Sequence, residues 1–534
     1  MNDDLSILQL RLDGLAEGMQ QTLLRVAVSP VVREGADASC ALFTPKGELL
    51  ALAEAIPLLL GALPGAVGAI LREYPAEQMQ PGDVFVTNDP FSGGTHLPDI
   101  AVVQPVFAGD MLIALTASLL HHQDIGGTRA GSVPPDATEI YHEGLRLPPM
   151  RAGQTDGFGR DFANLIRFAS RAPDVVLGDL ETQLAAGRSA AHGLRRIAQD
   201  LGTAPFLQAL DALLDRAEAE TAARLEALPT GPFHGMDALD PVAHLGPCEA
   251  HVAIAIRDGH MVADFHGSSP QVQAPVNCVR SGPLSAVFYG LLTLMGDSAL
   301  RNGGILRRIT LDLPEESIVN AALPAAVNAR MNMVRCITSA VLQALAEADP
   351  DRMPAANSGM SYVIAFSGKD AQGIPFLSTE IVAGGAGGAP HADGAPGIST
   401  DVGNAMNISA ESLESLVPMR LLSAGCRAGS GGPGRFRGGD GVIRTYEALT
   451  DGIAASIRGE RFARVAKGAH GGGSPRGSAA TVIRADGARM ELTARSAITL
   501  NKGDVLIIES SGGAGYGTPP EARAPEQARP AGPR

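Results

Sequence analysis

Tryptophan is absent from this chain, and its five cysteines (Cys40, Cys248, Cys278, Cys336, Cys426) are scattered with no CxxC pair among them. An odd, dispersed set excludes a disulfide framework and a zinc-finger arrangement, and fits free thiols in a reducing compartment. Positive charge is short as well: 42 Lys and Arg against 57 Asp and Glu leave a net charge of −15. With no basic stripe to neutralise phosphates, nucleic acid is excluded as a partner. No apolar run reaches the ~20 residues that a membrane span needs. The most apolar stretch, 55–71, is broken by Pro57, Pro64 and three glycines, and reads as buried core. The N-terminus, MNDDLSILQL, is acidic and unlike a signal peptide. A soluble, cytoplasmic protein is expected. Missing too are GxxxxGK[ST], HExxH, GxSxG and any GxGxxG opening a helix, so ATP, if used, must be bound by another chain.

What is present is glycine (64) and proline (37) in a chain of 534 residues, a length that suggests about three lobes. Apolar residues at Leu5, Leu8, Leu12, Leu15, Met19, Leu23 and Val26 predict an amphipathic N-terminal helix. Residues 160–228 are helical in pattern, and beyond "PTGPFHG" the chain turns β-rich, with Asp-Gly hairpins at 258–259 and 486–487. The predicted fold is α+β: a β-rich, multi-lobe protein with an N-terminal helix, a central helical segment and a β-rich C-terminal lobe. Its division is expected at an N-terminal lobe (1–229), a C-terminal lobe (230–518) and a disordered tail (519–534).

The stretch "FSGGTHLPDI" (91–100) places His96 and Asp99 three apart, just before the strand "IAVVQPVF". That strand and "MLIALTASLLHH" flank the turn "AGD", which predicts a hairpin. Centred on Gly109, the hairpin sets position 97 opposite 121, bringing His96 and Asp99 beside His121 and His122, with Asp124 nearby. Imidazoles and carboxylates gathered at one sheet end suit Zn²⁺, Mn²⁺ or Fe²⁺, and a site with an open position can activate water. The alternative is a set of polar loop residues. Asp37, in "REGADASC", taken alone reads as a cap at the start of a strand. Glu139, His142, Glu143 and Arg146 either line a pocket or belong to a solvated loop. "GDLETQ" (178–183) reads as structural capping on a helix. "GSGGPGRFRGGDG" (429–441) either cradles an anion with its amides or packs as a structural loop.

"REGADASCALF", "GDVFVTNDPFSGGTHLPDIAVVQPVF", "HHQDIGG", "ATEIYHEGLRLPP", "GDLETQLAA", "SGGPGRFRGGDGVIR" and "GGAGYGTP" occur in an order that resembles the hydantoinase B/oxoprolinase family, from about residue 5 to 518. The resemblance implies one subunit of an ATP-dependent enzyme such as N-methylhydantoinase, 5-oxoprolinase, caprolactamase, or acetone or acetophenone carboxylase. A hydantoinase A-type partner would bind ATP and Mg²⁺ and phosphorylate the substrate, in a hetero-oligomer with two or more copies of each subunit. Carried over by motif, the metal ligands are Asp37, His96, Asp99 and His121, holding one divalent ion, Zn²⁺ or Mn²⁺. The activity implied is hydrolysis of a cyclic amide (hydantoin, 5-oxoproline or a related lactam), with metal-bound water attacking the phosphorylated carbon. His122 and Asp124 are the candidate general bases, or Asp124 orients His121. Ketone carboxylation and a non-catalytic scaffold role are the rival readings. Where relatives read "EHIPVHLG" and "PDSGG", this chain has Ala55 and Leu59 in place of histidines, and Ala428-Gly429-Ser430. These departures leave the expected ligands untouched and bear on the substrate.

Overall fold

The apolar steps of three and four near the N-terminus form α1 (Asn2–Val26), which buries Leu8, Leu12, Met19 and Leu23 along one stripe. The computed structural model describes residues 2–155, 157–242, 245–296, 299–370, 372–404 and 406–520, so the expected tail lies, beyond 520, outside the described residues. Among the described residues no helix is long and apolar enough to cross a membrane.

The first sheet is assembled from β1 (Ala38–Phe43), β2 (Leu49–Leu52), β3 (Val84–Thr87), β4 (Asp99–Ala108), β5 (Met111–His121), β6 (Met150–Gln154) and β7 (Gly157–Phe158), in the order β2-β1-β5-β4-β3-β6-β7. Between β2 and β3 lies α2 (Ala62–Glu73), and after β7 come α3 (Arg160–Ala169), α4 (Pro173–Leu201) and α5 (Thr203–Glu226). Side chains alternate across the strands. Leu115, Ala117 and Leu119 of β5 enter one core with Val67 and Ile70 of α2, whereas Leu120 packs with Leu12 of α1 and Leu194 of α4. With both faces covered, the strands read as continuous apolar runs rather than as alternating ones.

The β4–β5 hairpin differs in register from expectation by two positions. Its turn is Gly109-Asp110, a bulge falls between Val106 and Phe107, and Asp99, not position 97, pairs with His121. A bulge adds one residue to one strand. Because a shift of two preserves the face of each side chain, the expected convergence survives, and Asp99 moves into direct pairing.

The second sheet, β8 (Phe233–Ala238), β9 (Glu249–Arg257), β10 (His260–Asp264) and β11 (Ile309–Asp312), is followed or interrupted by two buried helices, α6 (Ser281–Met295) and α7 (Arg330–Ala348). Its Asp-Gly turn has φ of 51° at Asp258 and 67° at Gly259, the two positive values a two-residue hairpin needs. One apolar cluster joins Phe43 and Leu119 of the first sheet to Ile254, Phe288 and Ile337.

The remaining strands are β12 (Ser361–Lys369), β13 (Pro375–Ala383), β14 (Met419–Cys426), β15 (Val442–Ala448), β16 (Ile453–Arg458), β17 (Ala479–Ile483), β18 (Arg489–Glu491), β19 (Arg495–Leu500) and β20 (Val505–Glu509). They form two sheets, β13-β12-β16-β19 and β14-β15-β20-β17-β18. Tyr362, Ile364 and Phe366 enter the core these sheets share with Tyr446 and Leu506. Alternation therefore turns Ser361 and Val363 the other way, toward the first sheet.

Glycine-rich segments pack backbone against backbone beside these sheets. Gly513 donates to the Gly439 carbonyl (2.9 Å), Gly439 to Ala386 (2.8 Å) and Gly432 to Gly513 (2.8 Å). The 429–441 loop thus spends its Gly432 and Gly439 amides on neighbouring carbonyls and its Gly431 amide on the Asp440 carboxylate, which makes it a packing element. A Cβ on Gly513 would collide with the main chain of Ala386. Gly513→Ala is therefore expected to cost about 3 kcal/mol of stability or more, read as a lowered denaturation midpoint. Gly425→Ala, where a Cβ meets nothing within 4 Å, should stay within about 0.5 kcal/mol of the parent.

Candidate metal centre

Three neighbouring strand ends contribute one row of side chains. Ala38 pairs with Leu120, and the His121 amide donates to the Asp37 carbonyl (3.1 Å), so Asp37 continues the β1 register opposite His121. Asp99 pairs with His121 from the other side. Asp37, His121 and Asp99 therefore share one face of the sheet. His96 joins them from the loop that precedes β4.

That loop is braced from within. Asn88 Nδ2 donates to the Leu97 carbonyl (2.6 Å), and Asn88 Oδ1 accepts from Leu147 N (2.6 Å). Asp89 accepts from Phe91 N and is held by Arg146 Nε (2.8 Å) and Nη2 (3.0 Å). Gly93, at φ 132°, lies against the backbone of Gly65 in α2, where a Cβ has no room. This glycine serves the loop–helix approach, not an approach to a ligand.

His96 Nδ1 lies 3.2 Å from the Asn328 carbonyl. A carbonyl only accepts, so Nδ1 carries the proton and the lone pair on Nε2 faces the cluster. There it lies 2.8 Å from Asp99 Oδ1 and 3.1 Å from His121 Nδ1, with His121 Nδ1 3.3 Å from Asp99 Oδ1 and 3.8 Å from Asp37 Oδ2. The ligand atoms of His96, Asp99 and His121 all lie within 4.8 Å of one another. An unprotonated imidazole nitrogen against a carboxylate oxygen is a contact between two acceptors, which a cation relieves. Two imidazoles and a carboxylate, with Asp37 beside them at His121, suit a divalent transition metal.

The electrostatics agree with that fit. Burial and the nearby Arg330 guanidinium lower His96 to about 3, so it is neutral. Burial opposes the charge on Asp99, but the Arg330 guanidinium and the His121 hydrogen bond hold it well below the usual carboxylate range. Burial also disfavours the His121 cation, yet the Asp99 hydrogen bond and the Asp37 and Asp99 charges outweigh it and raise His121 above its ordinary value. A metal must therefore displace a proton from His121. Metal affinity is expected to fall by up to about tenfold per pH unit once the pH drops below the raised His121 value. Mn²⁺ titrations from about pH 6 to 8 with an indicator for released protons check this; a flat affinity and no proton release would contradict it.

Four residues outside the expected ligand set, Arg330, Thr95, Glu143 and Asn328, hold it in place. Arg330 Nη2 donates to Asp99 Oδ2 (2.7 Å) and Thr95 Oγ1 (3.1 Å), and the Thr95 hydroxyl bonds the same Asp99 oxygen. Glu143 Oε1 accepts from Val327 N (3.0 Å) and Asn328 N (2.9 Å), fixing the carbonyl that orients His96. Burial pushes Glu143 up to about 8. Of its loop neighbours, Glu139 is exposed and Arg146 is engaged with Asp89.

His122 and Asp124, expected as general bases, lie elsewhere. Successive strand residues face opposite ways, so His122 turns to α4, its Nε2 3.2 Å from Gln183 Oε1, and burial lowers it to about 4. Asp124 accepts from Gly126 N, Gly131 N, Arg171 N and Arg171 Nη1. It organises its own loop and has no hydrogen bond to His121 among the described residues. In "GDLETQ", Asp179 accepts from Val28 N (2.7 Å) and Ser29 N, and Gln183 donates to the Ile100 carbonyl, which agrees with the structural reading.

The row opens on a cavity of about 200 Å³ that Asp37, His96 and His121 line from one side. Val363, Leu377 and Ile381 line it from the third sheet, and Ile56 and Leu58 from the segment holding Ala55 and Leu59. Leu59 itself is buried in the main core. Arg330, Arg335 and Arg458 also face this space. Sequence reasoning missed these arginines, although Arg330 and Arg335 stand out in an α7 that is otherwise mostly apolar.

A family profile described as Hydantoinase B/oxoprolinase matches residues 3–519. The chain is 29% identical to the B-type component of a putative D-/L-hydantoinase from a Pseudomonas species, over 85% of this chain and 79% of that one. It is 29% identical to 5-oxoprolinase 1 of Arabidopsis thaliana, over 96% of this chain but only 42% of that longer protein. The crystal structure of an ATP-dependent caprolactamase from Pseudomonas jessenii superposes with a TM-score of 0.89 at 27% identity, covering 98% of this chain and 92% of that one. Acetone carboxylase shares the fold at 18% identity, with a TM-score of 0.87 over 96% of this chain and 75% of that one.

Proposed function

The chain belongs to the hydantoinase B/oxoprolinase family, and from that membership we propose that it is the metal-bearing subunit of an ATP-dependent hydrolase of cyclic amides. The observation that carries the proposal is the cluster of His96, Asp99 and His121, with Asp37 beside His121, at a small, largely apolar cavity that Asp37, His96 and His121 line. ATP and Mg²⁺ are assigned to a hydantoinase A-type partner in a cytoplasmic hetero-oligomer. The chain has no nucleotide motif of its own, and a cavity of about 200 Å³ falls below the ~300–1,000 Å³ of pockets for drug-sized ligands.

Amides resist attack because the nitrogen lone pair delocalises into the carbonyl. Transfer of the terminal phosphoryl of ATP to the carbonyl oxygen leaves ADP and an imidate-like carbon with a phosphate leaving group. Water then adds to that carbon and the ring C–N bond breaks, the nitrogen taking a proton; a second water releases phosphate. The products are the ring-opened amino acid, ADP and phosphate. A Zn²⁺ or Mn²⁺ ion held by the four residues supplies Lewis acidity for activating water. This chain's own residues orient the donors: Asn328 and Glu143 fix His96, Arg330 and Thr95 fix Asp99, and the sheet register fixes His121 and Asp37. The apolar wall excludes bulk water, which strengthens the electrostatics inside.

The test is the co-purified complex with its partner, assayed with hydantoin, 5-oxoproline, a larger lactam, and ketone plus bicarbonate. ATP-dependent opening of a cyclic amide supports the reading. Turnover of ketone and bicarbonate alone would replace it with carboxylation.

A further inference from the structure

The cavity is also lined by guanidinium groups with buried N–H donors that no hydrogen bond uses. Arg458 ends β16, where it pairs with Val363 of β12, which in turn pairs with Ile381 of β13. All three therefore share the sheet face that lines the cavity. Among the described residues the Arg458 side chain makes no hydrogen bond or close ion pair and its Nη1 is buried without a partner, the buried Glu143 being the carboxylate whose charge reaches it. Arg335, only 2% exposed, bonds the Ser361 hydroxyl through Nη1 and leaves Nε without a partner. Arg330 Nε is likewise orphaned, although its Nη2 serves Asp99.

Three guanidinium groups thus line the cavity with buried donors unspent, and Asp37 is the one carboxylate on the lining. A buried donor left unsatisfied costs about 1–3 kcal/mol, more when charged. Arg does not escape by losing its proton. Burial lowers both Arg335 and Arg458 to about 10, so each remains charged near neutral pH. Unspent buried donors of this kind suit an anion, and planar guanidinium forks match phosphate oxygens.

We propose that Arg458 and Arg335, with Arg330 reaching over from Asp99, form an anion subsite in the cavity beside the candidate metal ligands that holds the phosphoryl group of the activated substrate. The proposal rests on the hydrolase reading above for the source of the anion, and on geometry alone for the subsite. It defines the substrate class: a small ring, apolar at Val363, Leu377 and Ile381, carrying its negative charge on the transferred phosphoryl. A substrate carboxylate would present the same anionic oxygens, and the two sources are separable.

The experiment uses the full chain loaded with Mn²⁺, inorganic phosphate as the probe in one calorimetric titration and acetate in a parallel one, with metal content measured on each variant. Arg458→Met and Arg335→Met are each expected to weaken phosphate binding tenfold or more with metal content unchanged, and Arg458→Lys to weaken it less. Equal phosphate affinity in parent and variants would overturn the subsite. So would loss of phosphate binding on metal removal alone with no effect of the arginine variants. Acetate binding more tightly than phosphate, with the same arginine dependence, would overturn the phosphoryl assignment. A complex that opens no cyclic amide while phosphate binding stays arginine-dependent removes the hydrolase reading and leaves the anion subsite in place.

Discussion

His96→Ala is expected to abolish metal binding and to lower ring-opening turnover by about 10³-fold or more, while the chain still assembles with its partner. The size follows from what is lost. A bound divalent ion can bring the pKa of water from 15.7 toward about 7, and no other residue on the cavity replaces that effect. His122 is buried against Gln183, and Asp124 is committed to Arg171 and two glycine amides. His96 is also the ligand best oriented in advance, through the Asn328 carbonyl. Metal content by mass spectrometry, complex formation by gel filtration and ATP-dependent turnover are the three readouts. An assembled, metal-free complex with near-parental turnover would contradict the assigned role.

Asp99→Ala is expected to be the costliest substitution of the cluster for folding, at about 3–5 kcal/mol. Asp99 is 2% exposed and accepts from Arg330, which is 6% exposed. Removing the carboxylate leaves a buried guanidinium without its charged partner. Replacing both members, Asp99→Ala with Arg330→Met, should recover most of that loss, because an apolar pair of similar volume avoids the uncompensated charge. Metal binding should not recover. Urea denaturation in the presence of a chelator measures the fold alone; a double variant as unstable as the single one would refute the account.

The cluster was legible in the sequence because it is local to a hairpin. Strand alternation and one turn are enough to bring Asp99 and His121 together, and an error of two in register cannot change the face on which they lie. Asp37 was not legible from its neighbours, since nothing in "REGADASC" says that β1 lies beside β5; the family resemblance placed it. The misplacement of His122 had the same origin as the success with His121: alternation, applied to the next residue, turns it to the opposite face. Arg330, Arg335 and Arg458 were out of reach because they meet the cluster only when α7 and the third sheet fold over the first. Glycines that seemed suited to holding a ligand instead hold backbone against backbone, a role that depends on segments distant in sequence.

α7 links the two sides of the cavity. Its first residue, Arg330, grips Asp99 of the candidate metal cluster, and Arg335, five positions on, bonds Ser361 of β12. Five helical residues advance about 7.5 Å at 1.5 Å each. The spacing between Asp99 and Ser361 of the third sheet is thus set by the rise of one buried helix, not by the play of a loop. The helix works as a ruler between the candidate metal cluster and the third sheet.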